Sequence, residues 1–535
     1  MKTKLLLYSF LLAIAGMFVA CSSDDDPAGD NNWVQVSTTN LSMANTAGMY
    51  SFTVTSSAIP TVREDGQDWY TTTKVNPVIT GSGYSTTVNV TVKEHSVNSR
   101  AGATRAHVET GTERSATLTI LCGDATATVT LTQAAPNPAI VIDYDNKMAI
   151  ADLPEITGTA ADAAAFGLAL GLGWNLGNHM EAYNDNGTTV VAEETCWGNS
   201  KATAQTFQKV KAAGYSFVRI PVSWLGHIGA GPSYSIEESY MNRVAEIVDY
   251  AEAAGLKCIV NIHHDGADSK YWLNIKDAAA SETSRATIKA EFTAIWTQIA
   301  EKFKNKGHFL IFEPFNEIHD GGWGWGTNRE DGGLQYSIVN EWNQAFVDAV
   351  RATGGNNTDR YLSVIGYCAD IDLTCNNLVI PTDVTPNRLV VGIHSYEPYD
   401  YTLGCSYDVF GHNAGKAGES KIVEYLKRLK ETYQDKGIPT YVGEFGCSQR
   451  NSTYEKYRLY YLEYFCKAAR ENNIALAVWD NGATGVGSEH HAYIDHGTGE
   501  YCSDEAKAAV NAMIDGYYTN DPDYTLDWVY NTSPE

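Results

Sequence analysis

LIFEPFNE, Leu310–Glu317, is an apolar run that gives way to polar residues at its end, and TYVGEFG, Thr440–Gly446, repeats the pattern. Six further runs share it: GLGWNLG (171–177), FVRIPV (217–222), KCIVNIHH (257–264), YLSVIGY (361–367), LVVGIHSY (389–396) and ALAVWDNG (475–482). Between them lie stretches with helical spacing, among them TAQTFQKVKAAG, YMNRVAEIVDYAEAAG, KIVEYLKRLKETY and YRLYYLEYFCKAAR. Strands buried on both faces of a parallel sheet read as continuous apolar runs. Eight such runs alternating with helices predict an α/β fold closed as a (β/α)8, or TIM, barrel.

In such a barrel the chemistry gathers at the C-terminal ends of the strands. Those ends carry Asn175 and Asn178, Arg219, His263 and His264, Asn316 and Glu317, His394 and Tyr396, Glu444, and Trp479. Taken singly, an Arg beside a Pro is ordinarily a surface ion pair, a His a structural one, a Trp packing. Polar groups at nearly every strand mouth are different, because buried polar groups cost free energy unless they converge on each other or on a ligand.

Glu317 and Glu444 suggest what that ligand is. Hydrolysis of a glycosidic bond needs two carboxyls: one protonates the leaving oxygen, the other attacks the sugar carbon or activates a water. A zinc site built on His263, His264 and His394 is the competing reading. No HExxH or similar spacing accompanies them, and adjacent histidines on a strand point to opposite sides, so no metal is expected. GLGWNLGN, DGGWGWG and GATGVGSEHH are glycine-rich, yet none is a GxGxxG between a strand and a helix, which argues against a nucleotide. The glycines around Trp323 and Trp325 suit a loop from which two rings project into a cleft.

The whole chain of 535 residues, 44% hydrophobic, is long enough for a small module plus a barrel. A net charge of −26 argues against nucleic acid as a partner and suits a neutral substrate. Twelve Trp and 32 Tyr fit stacking against sugar faces, although most serve the core. From Trp33 to Gln133 the runs SFTVTS, TTVNVTV, ATLTILC and ATVTLTQ alternate or are β-branched, and predict a small immunoglobulin-like all-β sandwich. Val97 to Glu113 reads as a loop, and Pro136-Asn137-Pro138 as a stiff boundary.

At the N-terminus, Lys2 and Lys4 precede an apolar run from Leu5 to Ala20 that is short for a membrane span. Cys21 and an acidic tract follow. This looks like a bacterial lipoprotein signal, with cleavage before Cys21 and lipidation of its thiol. The acidic tract resembles the signal that sends Bacteroidetes lipoproteins to the surface of the outer membrane. The expected boundaries are a signal peptide at 1–20, a tether at 21–32, the sandwich at 33–135, a linker at 136–150, the barrel at 151–520 and a tail at 521–535. Without Cys21, nine cysteines remain, so at least one is unpaired within the chain; Cys368 and Cys375 are close enough to bridge one loop.

GWNLGN, ETCWGN, VRIPVSW, NIHH, FNE, HSY, EFG and WDNG, in that order over residues 165 to 515, resemble glycoside hydrolase family 5. ETCWGN and NEIHDGGWGWG look like its subfamily 4, whose members are endo-β-1,4-glucanases. TLTQAA, ending at Ala135, resembles the BACON domain of Bacteroidetes glycan-degrading lipoproteins, with Trp69 and Tyr70 as the candidate glycan platform and a spacer as the favoured role. The resemblance implies a retaining mechanism without cofactor, with Glu444 as nucleophile and Glu317 as acid/base. It further implies that Arg219 and Tyr396 support Glu444, Asn316 binds the sugar 2-hydroxyl, His263 and His394 hold neighbouring groups, and Trp479 stacks under the sugar. The implied substrate is xyloglucan; cellulose, mixed-linkage glucan and mannan are the alternatives, as is an inactive glycan-binding lipoprotein. A monomer anchored only by lipid is expected.

Overall fold

The computed structural model describes residues 32–95, 113–135, 142–149, 163–412, 414–415 and 418–534. The signal run, Cys21, the tether as far as residue 31, nearly all of the 97–113 loop and Pro136–Pro138 lie outside the described residues. The chain divides into two compact units, Met1–Val141 and Ile142–Glu535.

Among the described residues, nine strands build the first unit. One sheet runs β1 (Val34–Val36), β3 (Gly48–Ser56), β7 (Gly83–Val92), β5 (Tyr70–Lys74), with β6 (Val78–Thr80) also on β7. The other runs β2 (Asn40–Met43), β9 (Ala125–Gln133), β8 (Arg114–Cys122), β4 (Thr61–Arg63). All pairs are antiparallel except β2–β9. The period-2 alternation seen in the sequence buries Phe52, Val54, Val88 and Val90 from one sheet against Leu118, Ile120, Val129 and Leu131 from the other. Trp69 and Tyr70 belong to this same core, 5% and 2% exposed. They form no glycan platform: burying two large rings stabilises a small sandwich more than any surface use would allow, and Arg114 covers Trp69 at 4.7 Å.

The second unit is the expected closed parallel barrel: β10 (Leu172–Asn175), β13 (Phe217–Ile220), β14 (Lys257–Val260), β15 (Leu310–Phe312), β16 (Leu362–Ile365), β17 (Leu389–Ser395), β18 (Thr440–Phe445) and β19 (Ala475–Val478). A hairpin, β11 (Tyr183–Asp185) and β12 (Val190–Ala192), follows the first strand. The regular strands end earlier than the apolar runs, so Asn178, His263, Glu317, Tyr396 and Trp479 sit on the loops just beyond them. Helices lie where the spacing places them. Ala204–Ala213, for example, begins at a Thr203–Thr206 capping box and stops at Gly214, whose φ of +111° suits a residue without Cβ.

Inside the barrel the side chains stack in layers. Phe217, Ile259, Ile311, Tyr361, Val390 and Tyr441 form an apolar layer with Phe166 and Leu170 of the helix Ala163–Leu170. Two residues further along five of the runs the layer turns polar: Asn175, Arg219, Asn261, Glu313 and Ser363, all buried. Gly173 keeps the first strand close to its neighbour, where a Cβ would collide with the ring of Phe217.

The linker and tail differ from expectation. Ile142 lies in the barrel core, Lys147 bridges to Thr519, and the helix Leu526–Asn531 buries Val529. Residues 142–149 of the linker and the tail pack with the barrel, because their apolar residues cover faces that would otherwise meet water. The nine described cysteines are free thiols, so Cys368 and Cys375 are not bridged.

Candidate active site

Arg219 organises the mouth of the barrel. It stands on β13, buried, two residues above the apolar layer. Its Nη1 donates to Asn175 Oδ1 at 3.0 Å and to Glu444 Oε1 at 2.8 Å. Its Nη2 donates to Glu313 Oε1 at 2.7 Å and to Asn316 Oδ1 at 2.9 Å, while Nε lies 3.2 Å from each Glu313 oxygen. All five N–H groups therefore have acceptors, and the plane of the guanidinium is fixed.

Glu444 reaches this cation through an irregularity. Tyr441 points into the barrel and Val442 out, so strict alternation would turn Glu444 outward. Instead Ile393 pairs with Val442 and His394 with Glu444, leaving Gly443 as an extra residue that reverses the parity. Asn175 Nδ2 donates to the Gly443 carbonyl at 2.9 Å and holds the bulge. Glu444 then accepts from Arg219 on Oε1 and from the Tyr396 hydroxyl on Oε2, at 2.9 Å.

Glu317 has different company. Its Oε1 accepts from His394 Nδ1 at 2.6 Å. Arg219 Nη2 lies 3.4 Å from His394 Nε2 and can only donate, which puts the histidine hydrogen on Nδ1. Glu317 Oε2 has no hydrogen-bond partner among the described residues and opens to the cleft, its side chain 19% exposed against 7% for Glu444.

Burial pushes the Glu317 carboxyl up to about 7; Arg219 opposes the shift and the negative charge of Glu313 adds to it. Glu444 is also raised by burial, but His394, Arg219 and the Arg219 hydrogen bond pull it back. Two close carboxyls are thus pushed apart, with Glu317 the one that stays protonated near neutrality. Burial holds His394 down at about 4, so it is neutral.

An oxygen of Glu317, one of Glu444 and a nitrogen of His394 all lie within 4.8 Å of one another, a spacing that would also suit a metal ion. The chemistry of the donors fits poorly: His394 presents an N–H there, and Glu444 Oε1 and Oε2 are already taken up by Arg219 and Tyr396.

The other expected residues fall into two groups. Asn316 Nδ2 has no partner among the described residues, so with Oδ1 fixed by Arg219 the amide can donate to a ligand. His263 accepts from Asn261 on Nδ1 and stands 4.0 Å from Glu444, and Trp479 lies parallel to it at 6.0 Å. These join the cluster. His264 instead packs edge-on against Tyr183 and near Trp197. Asn178, at φ +52°, donates its N–H to Glu181, and its carbonyl accepts from Asn199 Nδ2 at the rim.

Trp323 and Trp325 are 56% and 79% exposed, on a loop held by Asp320, with Trp323 beside His319 and Arg329 over Trp325. Gly324 between them has φ +81°, and Gly326 passes so close to the Asp320 carboxylate that a Cβ would not fit.

Glu313 and Asn261 went unremarked in the sequence reading. Each lies two residues after an inward apolar residue, within a run quoted above, and that spacing was the available signal.

Comparison with known proteins agrees with this geometry. The family model for cellulase, glycosyl hydrolase family 5, matches residues 182–485. Endoglucanase A of Paenibacillus barcinonensis is 33% identical over 366 residues, 64% of this chain and 87% of that protein. A broad-specificity endoglucanase of subfamily 4 from Bacteroides salanitronis is 50% identical, covering 69% of this chain and 98% of that one, at a TM-score of 0.66. A family 5 xyloglucanase from Bacteroides ovatus, solved with a XXXG heptasaccharide, is 25% identical over 90% of this chain and 99% of that one, at a TM-score of 0.59. With the barrel, the paired carboxyls and the matched family model in agreement, the chain belongs to glycosyl hydrolase family 5.

Proposed function

We propose that this protein is a retaining endo-β-1,4-glucanase with Glu444 as nucleophile and Glu317 as acid/base. The observation that carries the reading is that an oxygen of one carboxyl lies within 4.8 Å of an oxygen of the other, in unlike surroundings. Carboxyls roughly 5–5.5 Å apart leave no room for a water between catalyst and sugar, as the retaining mechanism requires.

In the first step a Glu444 oxygen bonds to the anomeric carbon while the bond to the leaving oxygen breaks. The proton on Glu317, directed to Oε2 because Oε1 accepts from His394, passes to that oxygen. As Glu317 becomes an anion, the His394 hydrogen bond becomes charge-assisted and strengthens, which favours the transition state over the ground state. Water then attacks the anomeric carbon and gives a proton to Glu317, and the carbon–Glu444 bond breaks. Asn316 Nδ2 donates to the 2-hydroxyl and Trp479 lies under the ring. No residue here calls for a metal or organic cofactor.

Xyloglucan is the substrate we propose. The exposed Trp323 and Trp325 offer aromatic surface that a branched chain can use and a bare glucan need not. Polysaccharides compared under one condition, with products identified and their anomeric configuration followed by proton NMR, test both parts. Xyloglucan cut fastest, to short branched oligosaccharides with retained configuration, is the expected result. A clear preference for unbranched glucan or for mannan would remove the substrate reading, and an inverted first product the mechanism. We further propose lipid anchoring at Cys21, on the cell surface, with the sandwich as a BACON-like spacer.

A further inference from the structure

Arg219 does not belong to Glu444 alone. Beneath it Glu313, wholly buried, takes the larger share of the guanidinium: Nη2 at 2.7 Å and Nε at 3.2 Å to both oxygens, against one bond to Glu444. Glu313 is itself held from the far side by the Tyr441 hydroxyl and by Asn261 Nδ2 at 2.9 Å. Burial would raise its pKa, but the charge and hydrogen bonds of Arg219 outweigh that and hold it below the usual value, so it is an anion.

We infer that Glu313 is a positioning residue of the reaction: its carboxylate aims Arg219 at Glu444 and divides that cation between the two acids. The inference rests on Glu444 as nucleophile and Glu317 as acid. Glu313 touches no sugar and acts through Arg219.

The charge balance shows what the division does. Arg219 also faces His394 and His263, both held neutral by burial. Glu444 faces Tyr396 and Glu317, and feels Glu181 behind it; Glu317 feels Glu489 on the loop opposite. One cation between the Glu313 and Glu444 anions leaves a net negative field where positive charge develops on the anomeric carbon, which lowers the barrier. Without Glu313 as an anion, Arg219 would be undivided. Glu444 would then ionise more readily, Glu317 would lose a repelling neighbour, and the field on the sugar would weaken.

Glu313→Gln tests this with little change of shape. Tyr441 already lies 2.9 Å from Ser363 Oγ, so its hydroxyl can turn to Ser363 and accept from the new amide. The full chain is assayed across pH on an aryl cellobioside with a poor leaving group that needs the Glu317 proton, with Tm measured alongside. The expected result is a fall in kcat of tenfold or more with KM within twofold, and both limbs of the kcat/KM profile displaced to lower pH. Tyr441→Phe keeps the charge but removes a competing donor, so Glu313 draws Arg219 harder and the acidic limb should move to higher pH. This second variant also decides the matter if the Gln protein does not fold.

Limbs unmoved in the folded variants, with rate losses that follow Tm, would mean Glu313 only packs and would overturn the inference. Glu444→Gln run beside them separates the two levels: if it is inactive while the limbs stay in place, only the Glu313 inference fails. If it is fully active, the assignment beneath it fails as well.

Discussion

At the scale of single residues, the two carboxyls differ in what surrounds them more than in where they stand. Glu444 accepts from Arg219 and Tyr396, both of which favour its charge; Glu317 accepts from one neutral histidine. Glu444→Gln should therefore lower kcat by three or more orders of magnitude on every substrate, because no glycosyl-enzyme can form. Glu317→Gln should cost about 10²–10⁴-fold on polysaccharide and much less on an aryl glycoside whose leaving group needs no proton. Equal losses for both variants on the activated substrate would contradict the division of roles. The same asymmetry sets the pH profile. On the proposed assignment activity needs Glu444 ionised and Glu317 protonated, so kcat/KM should fall below the raised pKa of Glu444 and again above about pH 7, where Glu317 loses its proton. A rate still climbing above pH 8 would show that Glu317 is not the acid.

At the scale of elements, strands place the chemistry and loops shape the cleft. The loop after β15 hangs on Asp320, whose carboxylate accepts from the Gly322 N–H at 3.0 Å, Thr327 Oγ1 at 2.6 Å and the Asn328 N–H at 3.3 Å. Burial alone would raise this carboxyl, but those bonds prevail and hold it at about 2, so it stays charged across the working range. Asp320→Ala should free the loop that carries Trp323 and Trp325 while leaving Glu317 and Glu444 in place. KM for xyloglucan should rise several-fold, while kcat on a small aryl substrate changes by less than about twofold. A matching loss on both substrates would mean the loop supports the catalytic groups rather than the polymer.

At the scale of the whole molecule, the described catalytic groups all lie in the second unit. Deleting residues 22–135 should change kcat/KM on a soluble substrate by less than about twofold; retention of the isolated sandwich in a gel containing xyloglucan would replace the spacer reading with a binding one. If acyl chains on Cys21 are the anchor, as proposed, Cys21→Ala should leave kinetics and Tm unaltered and release the protein from the membrane fraction; a variant that stays membrane-bound would point to an uncleaved N-terminal helix. The amino-acid sequence alone specifies the barrel, because period and apolarity are local properties of strands and helices. It also located most of the mouth, since a strand end is where an apolar run stops. Three-dimensional packing settled which groups meet: Gly443 as a bulge that turns Glu444 inward, His394 with its hydrogen on Nδ1, and Glu313 competing for Arg219. It also buried Trp69 and Tyr70, sent His264 to an aromatic cluster, and made barrel structure of residues 142–149 and the C-terminal tail. These outcomes depend on register and packing between segments far apart in the chain, and a strand whose parity shifts by one residue reverses every side chain beyond it.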